Sequence, residues 1–517
     1  MENNPLHLFE GKLSPFIGKG FSSISREVYQ SDHPYLSYYE RGKHTQTLSF
    51  REYFSLVGSL NEKIRSMVKP GDKIVVALGN SIEAFIAYGS LLSLGGTIVP
   101  VDPKEGSSFF QEIIRCTGAV LILSQGLKID GIKSFTFNIN ELVPGVFADF
   151  QDQDPASLFF TSGTTGDSKG VTLKFSSLLA NLEATKRISG LNSGDTLFSC
   201  LPVFHVNAFN FSFLLPLYLG TKSVFSSEYP LTIWKILNEE KVNVASLTPP
   251  VIRLINADSR THTAPESLRF FITASSPIYK EDLRTMKDRF GVRIIQAYGL
   301  SETVNFTLFN PPDLSDEEFQ GIHLEAPVPS AGIATWGNDV QLMSEDGKII
   351  DSENAEGEIV IRGWSIQSGY FANESATQEA FQNGYFHSGD IAFYRSYRNE
   401  KFYYITGRKK EVVKRKGKLV YLSEIDGVVK SIGLQDACVV GFPNVHTEEE
   451  VGLFIVKGST PMSHDEILFK LRTMLHPAKC PKVIVEGEQI PKTSVGKVKR
   501  NGLKQFFLPF RESKFNE

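Results

Sequence analysis

Residues 159–170, FFTSGTTGDSKG, combine hydroxyl side chains and glycines with a single lysine. The stretch follows an apolar strand and precedes a helix in the predicted element order, and its backbone N–H groups could form a nest for phosphate oxygens. Lys169 would add a positive charge, and hydroxyl donors would come from Thr161, Ser162, Thr164 and Thr165. It is not a Walker A loop, because Lys169 lies three residues after Gly166 and is followed by glycine. By itself the stretch predicts either a phosphate cradle or a flexible polar loop.

The composition is typical of a soluble protein with more than one domain. A chain of 517 residues is too long for one ordinary core, and 41% hydrophobic with 22% charged residues is usual for globular proteins. The formal net charge of −4 argues against a protein built to coat nucleic acid, so we expect no nucleic-acid partner.

Cysteine usage and the opening residues bear on where the protein works. The cysteines, at 116, 200, 438 and 480, are far apart and show no zinc-ligand or disulfide spacing, which favours a reducing cytoplasm. The start, MENNPLHLFEGKLSPF, has no apolar segment behind basic residues, and no later run has the length of a membrane span. We therefore expect an unprocessed cytoplasmic protein without a transmembrane segment.

Strand and helix patterns alternate through the first two-thirds of the chain. Ser49 is a candidate N-cap for a helix with apolar residues at helical spacing, and the strand KIVVAL, the helix SIEAFIAYGSLLSLGG and the strand TIVPVDP then form a βαβ unit. The same pattern recurs in AVLILS, SLFFT, VNVASLTPP, LRFFITAS and RIIQAYG. This alternation predicts an α/β fold with largely parallel sheets.

The pattern changes twice towards the C-terminus. Short alternating strands such as GEIVIRG and KFYYITG predict a small β-rich module at about residues 330–407. The basic run RKKEVVKRKGK then precedes a compact α+β pattern. We predict a large N-terminal domain of several subdomains over residues 1–408, and a small, mobile C-terminal domain over 409–517.

Several motifs in a fixed order resemble those of the adenylate-forming (AMP-binding) superfamily, in its acyl-CoA synthetase branch. They are GGTIVPVDP at 95, the loop at 159, LPVFHVNAF at 201, QAYGLSET at 296, GYFHSGDIAFY at 384, ITGRKKEVVKRKG at 405 and PKTSVGKVKR at 491. The resemblance spans about residues 47–503. It implies a two-step enzyme: a carboxylate attacks the α-phosphate of ATP and releases pyrophosphate, and a thiol, that of coenzyme A, then attacks the acyl-adenylate.

The resemblance also assigns nucleotide contacts. The loop from Thr161 to Lys169, with Gly163 and Gly166, would hold the β- and γ-phosphates, and Glu302 would bind Mg²⁺ through a hard carboxylate oxygen. Asp390 would accept hydrogen bonds from the ribose hydroxyls, and Arg408 would reach the nucleotide from the domain junction. The adenine pocket would consist of Tyr298 and Gly299 on one side and Ser275, Ser276 and Pro277 on the other, with Ser301 in place of the common threonine beside Glu302.

Acyl and hinge residues follow from the same resemblance. His205 would orient the acyl carboxylate without transferring a proton, and the acyl pocket would include Val206, Asn207 and Phe209. Lys410 would be the hinge, Gly417 would leave room for the pantetheine thiol, and Lys497 would neutralise charge between the carboxylate and the α-phosphate. Leu422 stands where the family usually has proline, which leaves the thiol acceptor open between coenzyme A and a phosphopantetheinyl carrier protein.

Three functional classes follow from these residues. An acyl- or aryl-CoA ligase leads, and a stand-alone adenylation enzyme that loads a carrier protein is the alternative. A non-catalytic nucleotide-binding protein is disfavoured, because Lys169, Glu302, Asp390 and Lys497 are present together. The predicted apolar lining accommodates either an alkyl chain or a ring. The segment HVNAFNFSF resembles the fatty-acyl-CoA synthetase version of its motif, so a fatty acid is expected first and an aryl acid second, and no aspartate typical of amino-acid-activating domains follows HVNAFNF.

Overall fold

The computed structural model describes residues 7–148, 156–162, 168–260, 262–415, 418–492 and 498–515. Within these ranges the strands form four sheets, and helices flank the parallel ones. No helix among the described residues is both long and apolar enough to cross a membrane.

A six-stranded sheet contains the early βαβ units. Its strands, in spatial order among the described residues, are Lys133–Thr136, Leu121–Ser124, Lys73–Ala77, Thr97–Pro100, Ala156–Ser162 and Ser168–Lys174. Neighbouring strands pair in parallel except for the last pair, which is an antiparallel hairpin. This arrangement confirms the predicted parallel-rich fold.

The hairpin corrects one expectation about the hydroxyl- and glycine-rich stretch. That stretch does not open a helix: Thr161 pairs with Lys169 across the hairpin, and the helix Phe175–Ser189 begins only after the second strand. The residues KGVTLKF alternate in burial along the second strand, with Val171 and Leu173 fully buried. A period of two is the signature of a strand, so this alternation outweighs the helical pattern that follows it.

A nine-stranded sheet forms the second layer of the large domain. In spatial order its described strands are Ile333–Ala334, Leu308–Phe309, Arg293–Tyr298, Phe270–Thr273, Val244–Leu247, Thr196–Ser199, Lys222–Ser226, Pro34–Glu40 and Lys43–Ser49. The six central strands pair in parallel, and antiparallel pairs close both edges. The carboxyl end of Arg293–Tyr298 carries the motif that contains Glu302.

Two helices begin at the serines that the sequence indicated. Ser49 caps the helix Phe50–Ile64 through a capping box with Glu52, and Ser81 caps Ile82–Ser93. The other α-helices of the large domain are Ser22–Val28, Ser107–Thr117, Phe175–Ser189, Val206–Ala208, Leu215–Leu219, Ile233–Glu239, Pro249–Ala257, Lys280–Phe290, Asp316–Phe319 and Glu374–Ala380. Two π-helical segments, Phe209–Leu214 and Gln320–Glu325, and 3₁₀ turns at Ile139–Glu141 and Ser301–Thr303 complete the set.

The predicted β-rich module is an antiparallel sheet. Its described strands are Asn338–Met343, Gly357–Gly363, Tyr385–Tyr397, Phe381–Gln382 and Glu400–Arg408. The long pair Tyr385–Tyr397 and Glu400–Arg408 places Asp390 directly opposite Arg408. Two predicted site residues from different motifs are therefore cross-strand neighbours.

The C-terminal region has a separate sheet and core. Its described strands are Lys418–Tyr421, Val412–Arg415, Glu448–Val456, Ala437–Asn444 and Val483–Gly487, and its helices are Leu422–Ser431 and His464–Met474, with 3₁₀ segments Lys409–Glu411 and Arg500–Phe510. Leu422 is the first residue of its helix, a position that accepts proline because the N–H there needs no helical partner. The replacement of proline by leucine thus keeps the local fold. The domain boundary at 408/409 and the mobility of this region stay predictions.

Candidate active site

Lys169 and Glu302 both contact the side chain of Tyr370. The Lys169 ammonium lies 5.0 Å from the centroid of the Tyr370 ring, and the Tyr370 hydroxyl donates to Glu302 Oε1 at 2.9 Å. Burial, and after it the Glu302 carboxylate, raises the pKa of Tyr370, so the phenol stays a neutral donor. Tyr370 thus links a cation and a carboxylate beside the turn end of the glycine-rich hairpin.

The backbone around Glu302 is fixed from two sides. The Glu302 carbonyl accepts from the Gln367 N–H at 2.8 Å, and Phe371 N donates to Gly170 O at 2.7 Å. Gly299 lies so close to the following segment that a Cβ there would be 1.3 Å from the Asn305 carbonyl oxygen. Only glycine fits where these two segments approach so closely. The chain can therefore turn at Gly299, between Tyr298 and Glu302.

A second cluster joins the strand end to the β-rich module. The Tyr298 hydroxyl donates to Asp390 Oδ2 at 2.8 Å, and Arg408 Nε lies 2.9 Å from Asp390 Oδ1. Asp390 is 4% exposed. Burial raises the pKa of Tyr298, and the Asp390 charge raises the pKa of Arg408. Three residues from three sequence motifs therefore meet at one carboxylate.

The segment TASSP has unusual backbone geometry. Ser275 has a φ of +74°, in the left-handed region that glycine adopts most easily. The family more often has glycine or alanine in this segment. Because a side chain disfavours the left-handed region, we expect Ser275 to adopt this conformation at a cost of about 1 kcal/mol. Ser276 is half-buried and Pro277 is exposed, and the Pro277 carbonyl accepts from Arg253. The contact of this segment with adenine stays a prediction.

The residues of the predicted acyl segment, 205–209, differ in burial. His205 precedes the helix Val206–Ala208 and its ring lies 4.9 Å from that of Phe204. Phe209 is fully buried in an aromatic cluster, with ring centroids 5.0 Å from Tyr88 and 5.4 Å from Phe159. Val206 is 7% exposed and Asn207 is half-buried. The structure thus places Phe209 and Val206 in the hydrophobic core, whereas His205 and Asn207 are half-buried.

Several predicted site residues lie outside the described residues. These are Gly163, Thr164, Thr165 and Gly166 of the loop, and Gly417 and Lys497 of the C-terminal region. The side chains of Ser162 and Lys410 are outside the described part as well. Thr161 is described, and its hydroxyl donates to the Lys169 carbonyl at 3.4 Å. Roles for the undescribed residues stay predictions.

Glu358 is a site residue that the sequence interpretation missed. Its carboxylate accepts from the Gly389 N–H at 3.0 Å and from Lys409 Nζ at 3.2 Å, and it lies 3.1 Å from His387 Nδ1. Burial opposes its ionisation, but His387, Lys409 and the Gly389 N–H outweigh burial and lower the pKa of Glu358. Glu358 therefore binds the residue before Asp390, which is Gly389, and the residue after Arg408, which is Lys409.

The sequence interpretation also missed Tyr370, and the two missed residues differ in how well the sequence could have shown them. Glu358 is an acidic residue inside the apolar strand GEIVIRG, which is unusual unless the residue is paired. The signal for Tyr370 is weaker, because its contact with Glu302 joins residues that are 68 positions apart.

Together these clusters define a class of protein. A lysine and a carboxylate share one tyrosine, and a second, buried carboxylate pairs with an arginine. Carboxylate oxygens can accept from hydroxyl groups or bind a hard cation, and a lysine can pair with phosphate. This combination suits a nucleoside triphosphate whose phosphates and ribose are held at different points.

Family models agree with that class. The model for AMP-binding enzymes matches residues 25–371, and the model for the C-terminal domain of AMP-binding enzymes matches residues 427–497. The chain therefore belongs to the AMP-binding, or adenylate-forming, enzyme family, which confirms the resemblance read from the motifs.

Individual relatives are acid–CoA ligases. The chain is 26% identical over 469 residues to 2-succinylbenzoate–CoA ligase of Bacillus cereus (strain AH820), which covers 89% of this chain and 92% of that one. It is 29% identical over 494 residues to a long-chain-fatty-acid–CoA ligase of Yersinia pestis, with coverage of 84% and 85%.

Solved structures share the fold. ATP-bound MatB from Rhodopseudomonas palustris superposes with a TM-score of 0.84 at 20% identity, over 96% of this chain and 100% of that one. MenE from Bacillus subtilis, in complex with its acyl-adenylate OSB-AMP, has a TM-score of 0.83 at 21% identity, over 96% and 99%.

Proposed function

We propose that the protein is an AMP-forming acyl-CoA ligase. It activates a carboxylic acid with ATP as the acyl-adenylate, releases pyrophosphate, and transfers the acyl group to coenzyme A. One observation carries the proposal: the turn at Gly299 joins Tyr298, which donates to Asp390, to Glu302, which shares the Tyr370 side chain with Lys169. The curated relatives named above, which are acid–CoA ligases, support the same reaction.

The described residues have the chemistry for ATP and Mg²⁺. Tyr370 donates to Oε1 of Glu302, and among the described residues no hydrogen bond reaches Oε2, so this oxygen can take a hard cation. Lys169 would neutralise phosphate charge, and Asp390 would accept from the ribose hydroxyls while Arg408 balances its charge. Bound Mg²⁺ would neutralise charge that develops on the phosphates.

The remaining roles continue the sequence predictions. His205, Val206, Asn207 and Phe209 would border the acyl group, and Lys410, Gly417 and Lys497 would serve the hinge and the two half-reactions. We propose a fatty or aromatic acid as substrate, as the names of the two curated relatives suggest. We also propose a cytoplasmic location, because all four cysteines are unpaired.

The reaction class can be tested by ATP–pyrophosphate exchange. With a panel of fatty and aryl acids we expect acid-dependent exchange of label from pyrophosphate into ATP. Addition of coenzyme A should then yield AMP and an acyl thioester in equal amounts. Formation of ADP, or exchange only with α-amino acids, would contradict the proposal, and transfer to a carrier protein but not to coenzyme A would favour the alternative acceptor.

A substitution at Glu302 tests the metal assignment. Glu302→Gln keeps the size of the side chain and an acceptor for Tyr370 but removes the negative charge. We expect the Mg²⁺ concentration for half-maximal exchange to rise at least tenfold and adenylation to slow, because an amide is a weaker ligand for a hard cation.

The measurement is a magnesium titration of pyrophosphate exchange at saturating ATP. Lys169→Ala is the companion variant: it should raise the KM for ATP and leave the shape of the magnesium titration unchanged. An unaltered magnesium titration in Glu302→Gln would overturn the metal assignment.

A further inference from the structure

A bulge in the β-rich module carries Asp390. The antiparallel strand pair that contains this residue changes register between Glu358 and Val360, so residues 388–390 stand opposite Ile359 alone. Bulges are common next to active sites, where they redirect a side chain that a regular strand would present differently. The direction of the Asp390 carboxylate therefore depends on how the bulge is held.

The bulge has backbone groups that the strand ladder does not pair. Gly389 has a φ of +73°, in the left-handed region, and its N–H donates to Glu358 Oε1 at 3.0 Å. The N–H of Asp390 donates to Ser388 Oγ at 3.0 Å, and the Ser388 hydroxyl donates to the Ile359 carbonyl at 2.7 Å. Two side chains thus hold the bulge, and that of Glu358 reaches it from the neighbouring strand.

The second oxygen of Glu358 reaches the end of the strand that carries Arg408. Oε2 accepts from Lys409 Nζ at 3.2 Å and lies 3.1 Å from His387 Nδ1. Lys409 directly follows Arg408, which is the cross-strand neighbour of Asp390. One carboxylate therefore holds the residues next to both members of the Asp390–Arg408 pair.

A buried acid at position 358 is costly in itself. The Glu358 side chain is 10% exposed, its strand is mostly apolar, and burial opposes its charge. An apolar side chain of similar size would fill the same space without that cost. The hydrogen bonds of the carboxylate instead go to the bulge and to the residues that flank it, so a role at the nucleotide site accounts for the acid.

Binding of ribose would depend on this support. Asp390 already accepts from Tyr298 and pairs with Arg408, so its remaining lone pairs keep fixed directions only while the backbone at 388–390 stays in place. Hydrogen bonds weaken steeply as their angle bends. A small shift of the bulge would therefore weaken the bonds to the ribose hydroxyls.

We propose that Glu358 is a positioning residue for the nucleotide: it holds the bulge 388–390 so that Asp390 faces the ribose hydroxyls of ATP. The proposal rests on the proposed ligase function and on the predicted contact between Asp390 and ribose. Glu358 acts through Gly389 rather than by contact with the nucleotide.

The test is the preference for ATP over 2′,3′-dideoxy-ATP, measured as the ratio of their kcat/KM values in acid-dependent pyrophosphate exchange. The analogue lacks both ribose hydroxyls, so the ratio reports ribose recognition separately from adenine and phosphate binding. We expect a ratio of about 100 for the wild type, the usual scale for hydrogen bonds to a charged group. Glu358→Leu should lower the ratio to about 10 or less.

A conservative variant and a control locate the effect. Glu358→Gln keeps an acceptor for Gly389 but loses the charge that binds Lys409, so we expect a ratio of about 30, between the other two. Glu240→Leu is the matched control: the Glu240 side chain is also 10% exposed and pairs with one lysine, Lys222, in the nine-stranded layer. Its loss should lower stability and leave the ratio unchanged.

Several results would overturn the proposal. A wild-type ratio in folded Glu358→Leu would leave the ligase function intact and exclude the positioning role. An equal loss in Glu240→Leu would assign the effect to destabilisation. If Glu358→Leu does not fold, Glu358→Gln decides, and a wild-type ratio there has the same meaning. If no acid supports exchange by the wild type, the ligase function fails, and the proposal fails with it.

Discussion

Asp390→Asn is expected to lower kcat/KM for ATP about 100-fold, without loss of the fold. The buried carboxylate accepts from Tyr298 and pairs with Arg408, and the ribose hydroxyls would use its remaining lone pairs. A hydrogen bond to a charged group typically contributes about 1.5–3 kcal/mol, so loss of the charged acceptor for the ribose accounts for the expected effect on ATP, while the half-exposed Arg408 side chain can turn to water. An amide also offers one acceptor oxygen where the carboxylate offers two.

The measurement compares ATP kinetics of this variant with those of Asp339→Asn. Asp339 lies in the same sheet and pairs with Arg362 at 2.7 Å, so the control also removes a carboxylate from an arginine. We expect ATP kinetics within twofold of wild type for Asp339→Asn, with similar thermal stability for both variants. Equal ATP kinetics in the two variants would contradict a role of Asp390 in nucleotide binding.

Lys497→Ala and Gly417→Leu are expected to separate the two half-reactions. Lys497 lies in the glycine-containing segment TSVGKVKR, which the family uses to bring a lysine to the α-phosphate. Gly417 lies in the opposite motif of the same domain. One rigid domain cannot present both motifs to the active site at once, so we predict that the C-terminal region moves between the two steps.

We expect Lys497→Ala to slow adenylate formation by roughly 10²- to 10³-fold, the usual scale for one electrostatic contact, and still to form thioester from a supplied acyl-adenylate. Gly417→Leu should keep pyrophosphate exchange and lose thioester formation, because its side chain would fill the path of the thiol. The assay pair is exchange without coenzyme A and thioester formation from the adenylate. Equal loss of both steps in both folded variants would rule out the domain alternation.

Local signals account for much of the agreement between sequence and structure. The helix at Phe50–Ile64 was predictable because its cap at Ser49 and its apolar period lie within one stretch of chain. The parallel strands were predictable for the same reason, since short apolar runs alternated with helical patterns. The glycine-rich stretch differs from the prediction because a strand pattern and a helix pattern adjoin there. The sequence interpretation let the helix follow the stretch directly, whereas the pairing of Thr161 with Lys169 makes the next residues a strand.

What the sequence determined by itself is the reaction class: ordered motifs identify the family, and they predict Lys169, Glu302 and Asp390 as site residues. What only the tertiary structure decided is how these groups are held, because Tyr370 reaches Glu302 across 68 positions of chain and Glu358 reaches Lys409, next to Arg408, across 51. No hydrophobic period and no capping residue in the nearby sequence indicates such contacts. They depend on which strands become neighbours and on which polar atoms remain unpaired once the core has packed.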